Sequence, residues 1–430
     1  MLFSQETRAR IPGLWVLMLA VFLILPPLPP LGPEPLEAQG HSLVTPDGGV
    51  DWNRYYTSGE TEQILHELHA LYPDLTELFS IGSSLEGRDL WVMEVTAEET
   101  GPGMDKPALY LDGGIHSGEL TASQVALYVL GQLLTRYGKD PEITRLLDTR
   151  TFYVRPKFNP DGSDLALIHD QSLRSTVRPW DEDGDGAADE DPPDDLDGDG
   201  WITSMRIPDP SGEWSAHPED DRVMVRIDES ASMGPGGQEI SGTTVRYRIT
   251  EEGLDNDLDG RTNEDGIGGI EINRNFPRNW KRVHLQTGAG PFPLSEPETH
   301  ATVRFIHNHR NIISIVHGHT SGGFVYRLPS ASPPSLFPPR DLELIEHLGG
   351  PYTETTGRPV RPSATHPTRH RYGTLMSWAY WDQGVVGWVP EYSPGPDAWV
   401  TDGNGDGEID ELEEIRFNDR ELGGRYFSDW

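Results

Sequence analysis

Between Ala108 and Val154 the sequence changes its hydrophobic period twice, and this alternation constrains the fold more than any other stretch. Ala108-Leu-Tyr-Leu111 is a short apolar run closed by Asp112-Gly113-Gly114, a buried strand meeting a turn. Thr121 to Tyr137 then reads as a helix, with Val125, Leu127, Val129, Leu130 and Leu133 supplying its apolar side. Thr151 to Val154 returns to a strand and runs into Asn159-Pro-Asp-Gly162, a turn sequence. Strand, helix, strand in this order predicts an α/β sheet.

The flanking sequence extends that pattern. Ile64, Leu65, Leu68 and Leu71 recur at helical spacing until Pro73, and residues 90–95 alternate as a strand. Further on, Ser295-Glu-Pro-Glu298 reads as a helix start, with Ser295 as cap, Pro in the first turn and Glu298 bonding back, for a helix reaching His309. Ile312 to Val316 is a buried strand that delivers His317 and His319 at its end. A helix over Thr374 to Asp382 and a strand over Val385 to Val389 lead to Glu391. From 170 to 266 the composition turns to Asp, Glu and Gly with poor apolar periodicity, which reads as an insertion.

Arg8 and Arg10 precede an apolar run from Leu14 to Leu25, too short for a comfortable membrane span. Residues 1–38 therefore read as a signal peptide or N-terminal anchor, and 39–50 as a linker. The expected location is secreted, periplasmic or otherwise extracytoplasmic. The formal charge of −36 argues against nucleic acid or an anionic membrane as partner, since both require basic patches. With no Cys, disulfides, zinc–thiolate sites and cysteine nucleophiles are excluded, so any transition-metal site must use His and carboxylates.

Gly113-Gly-Ile-His-Ser-Gly-Glu119 supplies such a pair. His116 and Glu119, three residues apart on a tight turn into a helix, can converge on one ion. Catalytic zinc takes three protein ligands of this kind and keeps a fourth position open. Val316-His-Gly-His319 offers the third, from His319 or His317. Taken alone, His-x-x-Glu is equally a surface His beside a helix-capping Glu.

Six segments in order give the chain a wider resemblance. Gly87-Arg88, Gly113 to Glu119, Asn159-Pro-Asp-Gly162, Asn273-Arg-Asn-Phe276, His319 before a Gly pair, and Glu391 after Trp378-Ala-Tyr-Trp-Asp-Gln-Gly384 resemble the carboxypeptidase A-like zinc metallocarboxypeptidases from about Trp52 to Pro394. The resemblance implies a zinc carboxypeptidase-like domain over 51–397, with a mixed, mostly parallel sheet flanked by helices. It implies His116, Glu119 and His319 as ligands of one zinc ion, the family pattern favouring His319 over His317. Glu271 matches the position of an acid behind a ligating imidazole.

The same resemblance implies Glu391 as general base. It implies Arg174, or Arg178 if the insertion shifts the register, as oxyanion donor. Asn273 and Arg274 match the pair that holds a substrate's terminal carboxylate, for which a guanidinium is well suited. Tyr372 is the candidate for a tyrosine that closes over substrate, and Met376 for a wall of the side-chain pocket, hinting at apolar or aromatic C-terminal residues. The expected partner is a peptide or protein substrate.

The acidic clusters suggest calcium. Asp402, Asn404, Asp406, Glu408, Asp410 and Glu413, with Gly407 at the turn, fit an EF-hand loop within the C-terminal segment 398–430. Asp181/Asp183/Asp185, Asp195/Asp197/Asp199 and Asp255/Asp257/Asp259 share the Asp-x-Asp-x-Asp-Gly core without the closing Glu. The expected function is zinc-dependent release of C-terminal amino acids. Competing readings are a cell-wall peptide amidase or peptidase on the same site and a non-catalytic, calcium-stabilised binding protein.

Overall fold

The computed structural model describes residues 42–424 apart from 170–172, 182–185, 197, 199–201, 228–244, 259, 261, 264–265, 321, 331–333, 364–370, 393–399, 404 and 406–408. The expected signal or anchor, and Asp183, Asp185, Asp197, Asp199, Asp259, Asn404, Asp406 and Glu408, lie outside the described residues. No helix among the described residues is long and apolar enough to cross a membrane.

In chain order the strands are β1 (Thr76–Ser83), β2 (Asp89–Val95), β3 (Ala108–Gly113), β4 (Thr151–Arg155), β5 (Ser204–Pro208), β6 (Trp214–Ala216), β7 (Met224–Arg226), β8 (Tyr247–Glu251), β9 (Ile312–Gly318), β10 (Phe324–Arg327), β11 (Val360–Pro362) and β12 (Val386–Glu391). The helices are α1 (Ser58–Leu71), α2 (Leu120–Arg136), α3 (Pro141–Thr149), α4 (Pro160–Ile168), α5 (Pro297–Asn308), α6 (Pro339–Thr356), α7 (Leu375–Trp378) and α8 (Glu411–Phe417).

Eight strands form the main sheet in the order β1-β2-β4-β3-β9-β12-β10-β11. The centre, β4-β3-β9-β12, is parallel, and antiparallel pairing joins β1 to β2, β2 to β4 and β12 to β10. The central strands read as continuous apolar runs because both faces are covered. Successive residues part to opposite sides: Tyr110, Val92 and Tyr153 join one core with Phe305, Ile306 and Leu375, while Leu111, Met93 and Val154 join another with Leu65, Leu130 and Leu147. Thus α1, α2 and α3 cover one face, and α5 and α7 the other.

Several local expectations need correction. Asn159-Pro-Asp-Gly162 is not a free turn: Asn159 caps α4 by accepting from the Gly162 amide at 3.2 Å. Ser295 is not the cap of α5; the helix begins after Glu296, whose amide donates to Asn275 Oδ1 at 3.2 Å. The helix expected over Thr374 to Asp382 is α7, capped by Thr374, and a wider π turn, Ala379–Gln383. The acidic stretch is not without regular structure, for it holds a second, antiparallel sheet in the order β5-β8-β6-β7. Against this sheet packs α8, with Leu412 and Ile415 meeting Val223 and Val225.

Candidate active site

The carboxyl ends of β3, β9 and β12 meet at one cavity, where α/β sheets commonly bind ligands. Behind β3 the chain turns sharply: Gly114 has φ +74°, and a Cβ on Gly113 would lie 2.2 Å from the Ala122 carbonyl oxygen. Only glycine lets α2 approach this closely, and the approach brings His116 and Glu119 back over the sheet. His319 follows β9 directly. Its amide donates to the Pro390 carbonyl at 2.9 Å, and its carbonyl accepts from the Tyr392 amide at 2.9 Å, so His319 is bridged to Glu391 at the end of β12.

His116, Glu119 and His319 each offer a ligand atom within 4.8 Å of the others; among the described residues no other group of three or more metal-capable side chains converges in this way. His116 Nδ1 and His319 Nδ1 lie 2.7 and 2.9 Å from the two Glu119 oxygens. Burial pushes His319 down to about 3, which keeps its imidazole neutral and its lone pair available. Burial opposes ionisation of Glu119, but its contacts with His319 and His116 outweigh it and hold the carboxyl well below its usual range. Burial likewise opposes a charged His116, yet hydrogen bonds to Glu119 and Glu271 raise its pKa. Two imidazoles and a carboxylate fit a catalytic zinc site.

Glu271 stands behind His116, with Oε1 2.9 Å from His116 Nε2. The same oxygen lies 2.9 Å from Arg274 Nη1 and 3.2 Å from Arg174 Nη2. Burial alone would raise the Glu271 pKa, but Arg274 and His116 overcome it and keep the carboxylate ionised. Buried Asn273 approaches His319 Nε2 at 3.4 Å through Nδ2, and its Oδ1 accepts from the Leu375 amide at 3.1 Å, anchoring α7 to the site.

Arg174, Asn273, Arg274, Met376 and Glu391 line the same cavity, of about 230 Å³. Burial, reinforced by the Glu119 charge, raises Glu391 to about 7. The alternatives to Arg174 and His319 lie elsewhere. Arg178 pairs with fully buried Glu296 at 3.0 Å, and His317 Nδ1 bonds Asp112 Oδ1 at 2.6 Å inside the sheet. Tyr372 is not among the lining residues; Lys281 Nζ lies 5.3 Å from its ring centre, and its amide donates to Gln286 Oε1 at 3.2 Å. Arg371 does line the cavity, a residue that the motifs had not singled out. Its one sequence signal is its position directly before Tyr372.

The described members of the acidic clusters form turns. Asp181, Asp195, Asp255 and Asp402 each accept from a following Gly amide, that of Gly186, Gly198, Gly260 and Gly405 respectively. Asp257 lies in the loop of Asp255. Asp410 caps α8, and Glu413 reaches back to the Gly403 and Asp410 amides.

The family model described as zinc carboxypeptidase matches residues 61–190 and 231–398. Rat carboxypeptidase A2 is 34% identical over 129 residues, which is 30% of this chain and 30% of that protein. Human carboxypeptidase D is 38% identical over 136 residues, 27% of this chain and 10% of that protein. The chain thus spans less than a third of the curated relatives it matches. Crystal structures of thrombin activatable fibrinolysis inhibitor and of carboxypeptidase A from Helicoverpa armigera share the fold. The first has a TM-score of 0.55 at 20% identity, over 81% of this chain and 69% of that one. The second has a TM-score of 0.51 at 16% identity, over 81% and 66%. On the family match, the fold and the His–Glu–His group at its strand ends, the chain belongs to the zinc carboxypeptidase family.

Proposed function

We propose that the protein is a carboxypeptidase that removes C-terminal amino acids from peptides. The observation that carries this reading is the convergence of His116, Glu119 and His319 with Glu391 and Arg274 on one cavity. His116, Glu119 and His319 would hold zinc, which when bound supplies Lewis acidity toward the scissile carbonyl and lowers the pKa of a water. Arg274 and Asn273 receive the terminal carboxylate of the substrate, which an internal peptide bond would lack. Glu391 takes a proton from the attacking water and returns it to the departing amine as the C–N bond breaks. Its raised pKa suits both halves of that exchange. Arg174, exposed enough to swing from Glu271, faces the oxygen on which negative charge develops. Met376 supplies an apolar wall for the released side chain, and Tyr372 is the candidate to close over bound substrate.

The test is release of free amino acids from a mixed peptide panel, with metal-stripped protein, zinc-restored protein and Glu391→Gln. Zinc-dependent release that falls by about 10²-fold or more in the variant is expected. No release from any peptide at stoichiometric zinc would overturn ordinary carboxypeptidase action and direct attention to cell-wall peptides or a binding role.

Calcium at the Asp-rich loops is part of the same reading. It is supported by alternate acids followed by glycine, and by Glu413 folding back to the loop that Asp402 opens. An extracytoplasmic location is supported by Arg8, Arg10 and the apolar run behind them.

A further inference from the structure

Four guanidinium groups border the cavity, and three of them have carboxylate partners. Arg174 faces Glu119 and Glu271 at 3.6 and 3.2 Å. Arg274 lies 2.9 Å from Glu271. Arg327 turns outward to Glu346 at 2.7 Å. The fourth, Arg371, has no carboxylate partner among the described residues. Its guanidinium carbon lies 4.7 Å from the centre of the Tyr326 ring, itself part of the cavity wall. A guanidinium resting on a ring face keeps its in-plane N–H groups free for a carboxylate.

Nearby, Arg361 stacks 3.5 Å over Phe324 and 5.4 Å from Tyr326, also without a carboxylate among the described residues. Phe324 and Tyr326 pack edge to face at 4.6 Å, so two cations share one aromatic wall. The Arg371 charge reaches the centre of the site: it favours ionised Glu391 and disfavours the Arg274 cation. Arg371 therefore stands within Coulombic range of both the candidate base and the candidate carboxylate anchor. In a chain with 70 acidic and 34 basic residues, a cavity arginine left without an acid suits an acid brought by the ligand. The overall negative charge does not forbid this, because acids beyond about 8 Å are screened at physiological salt.

We propose that Arg371 binds a second substrate carboxylate, so that the protein prefers peptides with an acidic residue at, or directly before, the C-terminus. The proposal rests on the carboxypeptidase reading and adds a specificity that Met376 alone does not suggest.

The test uses zinc-loaded full-length protein and four otherwise identical peptides, with Glu or Gln at the last position and Glu or Gln at the one before it. At one of the two positions Glu should raise kcat/KM about 10-fold over Gln, as charge-assisted, two-pronged bonds predict, and the responding position identifies the source of the carboxylate. Arg371→Gln should bring the Glu-to-Gln ratio to within about two-fold of one, with Arg371→Lys between. Equal rates for Glu and Gln at both positions would overturn the proposal. So would a ratio that survives Arg371→Gln, since the arginine would then serve all peptides alike. If no peptide is cleaved, the hydrolytic reading fails separately, and calorimetric binding of N-acyl dipeptides ending in Glu or Gln decides. A Glu preference lost in Arg371→Gln sustains the proposal, and equal affinities overturn it.

Discussion

One carboxylate oxygen, Glu271 Oε1, receives His116, Arg174 and Arg274. It both orients a candidate metal-binding imidazole and holds two cations that the proposed substrate would claim. A ligating imidazole depends on the acceptor behind it, so Glu271→Ala should weaken zinc retention about 10- to 100-fold, measured by competition with a chelator. Glu391→Gln should leave zinc stoichiometry intact while removing hydrolysis, which separates binding of the metal from proton transfer. Most of this site was legible in the sequence, because its members sit at strand ends and helix starts, beside the glycines and prolines that mark them. Arg371 was not, since its value depends on where β10 carries Tyr326, and nothing in the local sequence reveals that pairing.

Among the elements, α5 carries a buried acid that the chemistry does not require. Glu298 is 1% exposed, its Oε2 has no hydrogen-bond partner, and burial, helped by the Glu296 charge, raises it to about 7 from the ordinary 4.5. A carboxyl with a raised folded pKa binds more protons folded than unfolded, so its contribution falls as pH climbs from about 4.5 to about 7. Ionised, it costs up to about 3 kcal/mol. Glu298→Gln should therefore stabilise the protein at pH 8 and give little at pH 5, a difference that urea unfolding at the two pH values would resolve. The strands β2, β3, β4, β9 and β12 and the helices α1 and α2 were foreseen because their apolar runs and periods are clean, and α5 because of the Pro and Glu at its start, whereas β1, β10 and β11 were not. The start of α5 was misplaced because Asn275, which accepts from the Glu296 amide there, comes from a loop distant in sequence. The strands β6 and β7 span three residues each, too short to display a period.

At the scale of the molecule, the family match leaves out residues 191–230, where β5, β6 and β7 lie. That stretch is joined to the C-terminal helix α8 through Ile415, which is fully buried against Val223 and Val225, and through the Arg222–Asp419 and Arg416–Glu219 pairs. If calcium holds the Asp-rich turns, saturating it about 100-fold above its dissociation constant should add roughly 2.7 kcal/mol. A rise in melting temperature on adding calcium to zinc-loaded, EGTA-treated protein would register this, and an unchanged melting curve would count against calcium there. The bridge between His319 and Glu391 has a different reach. It ties a candidate metal-binding imidazole to the candidate base through main-chain bonds between neighbouring strands, so their spacing does not depend on the identity of any intervening side chain. The loop with Arg371, which the chain inserts between those two strands, can therefore change without altering that spacing, and new substrate preferences can evolve there one substitution at a time.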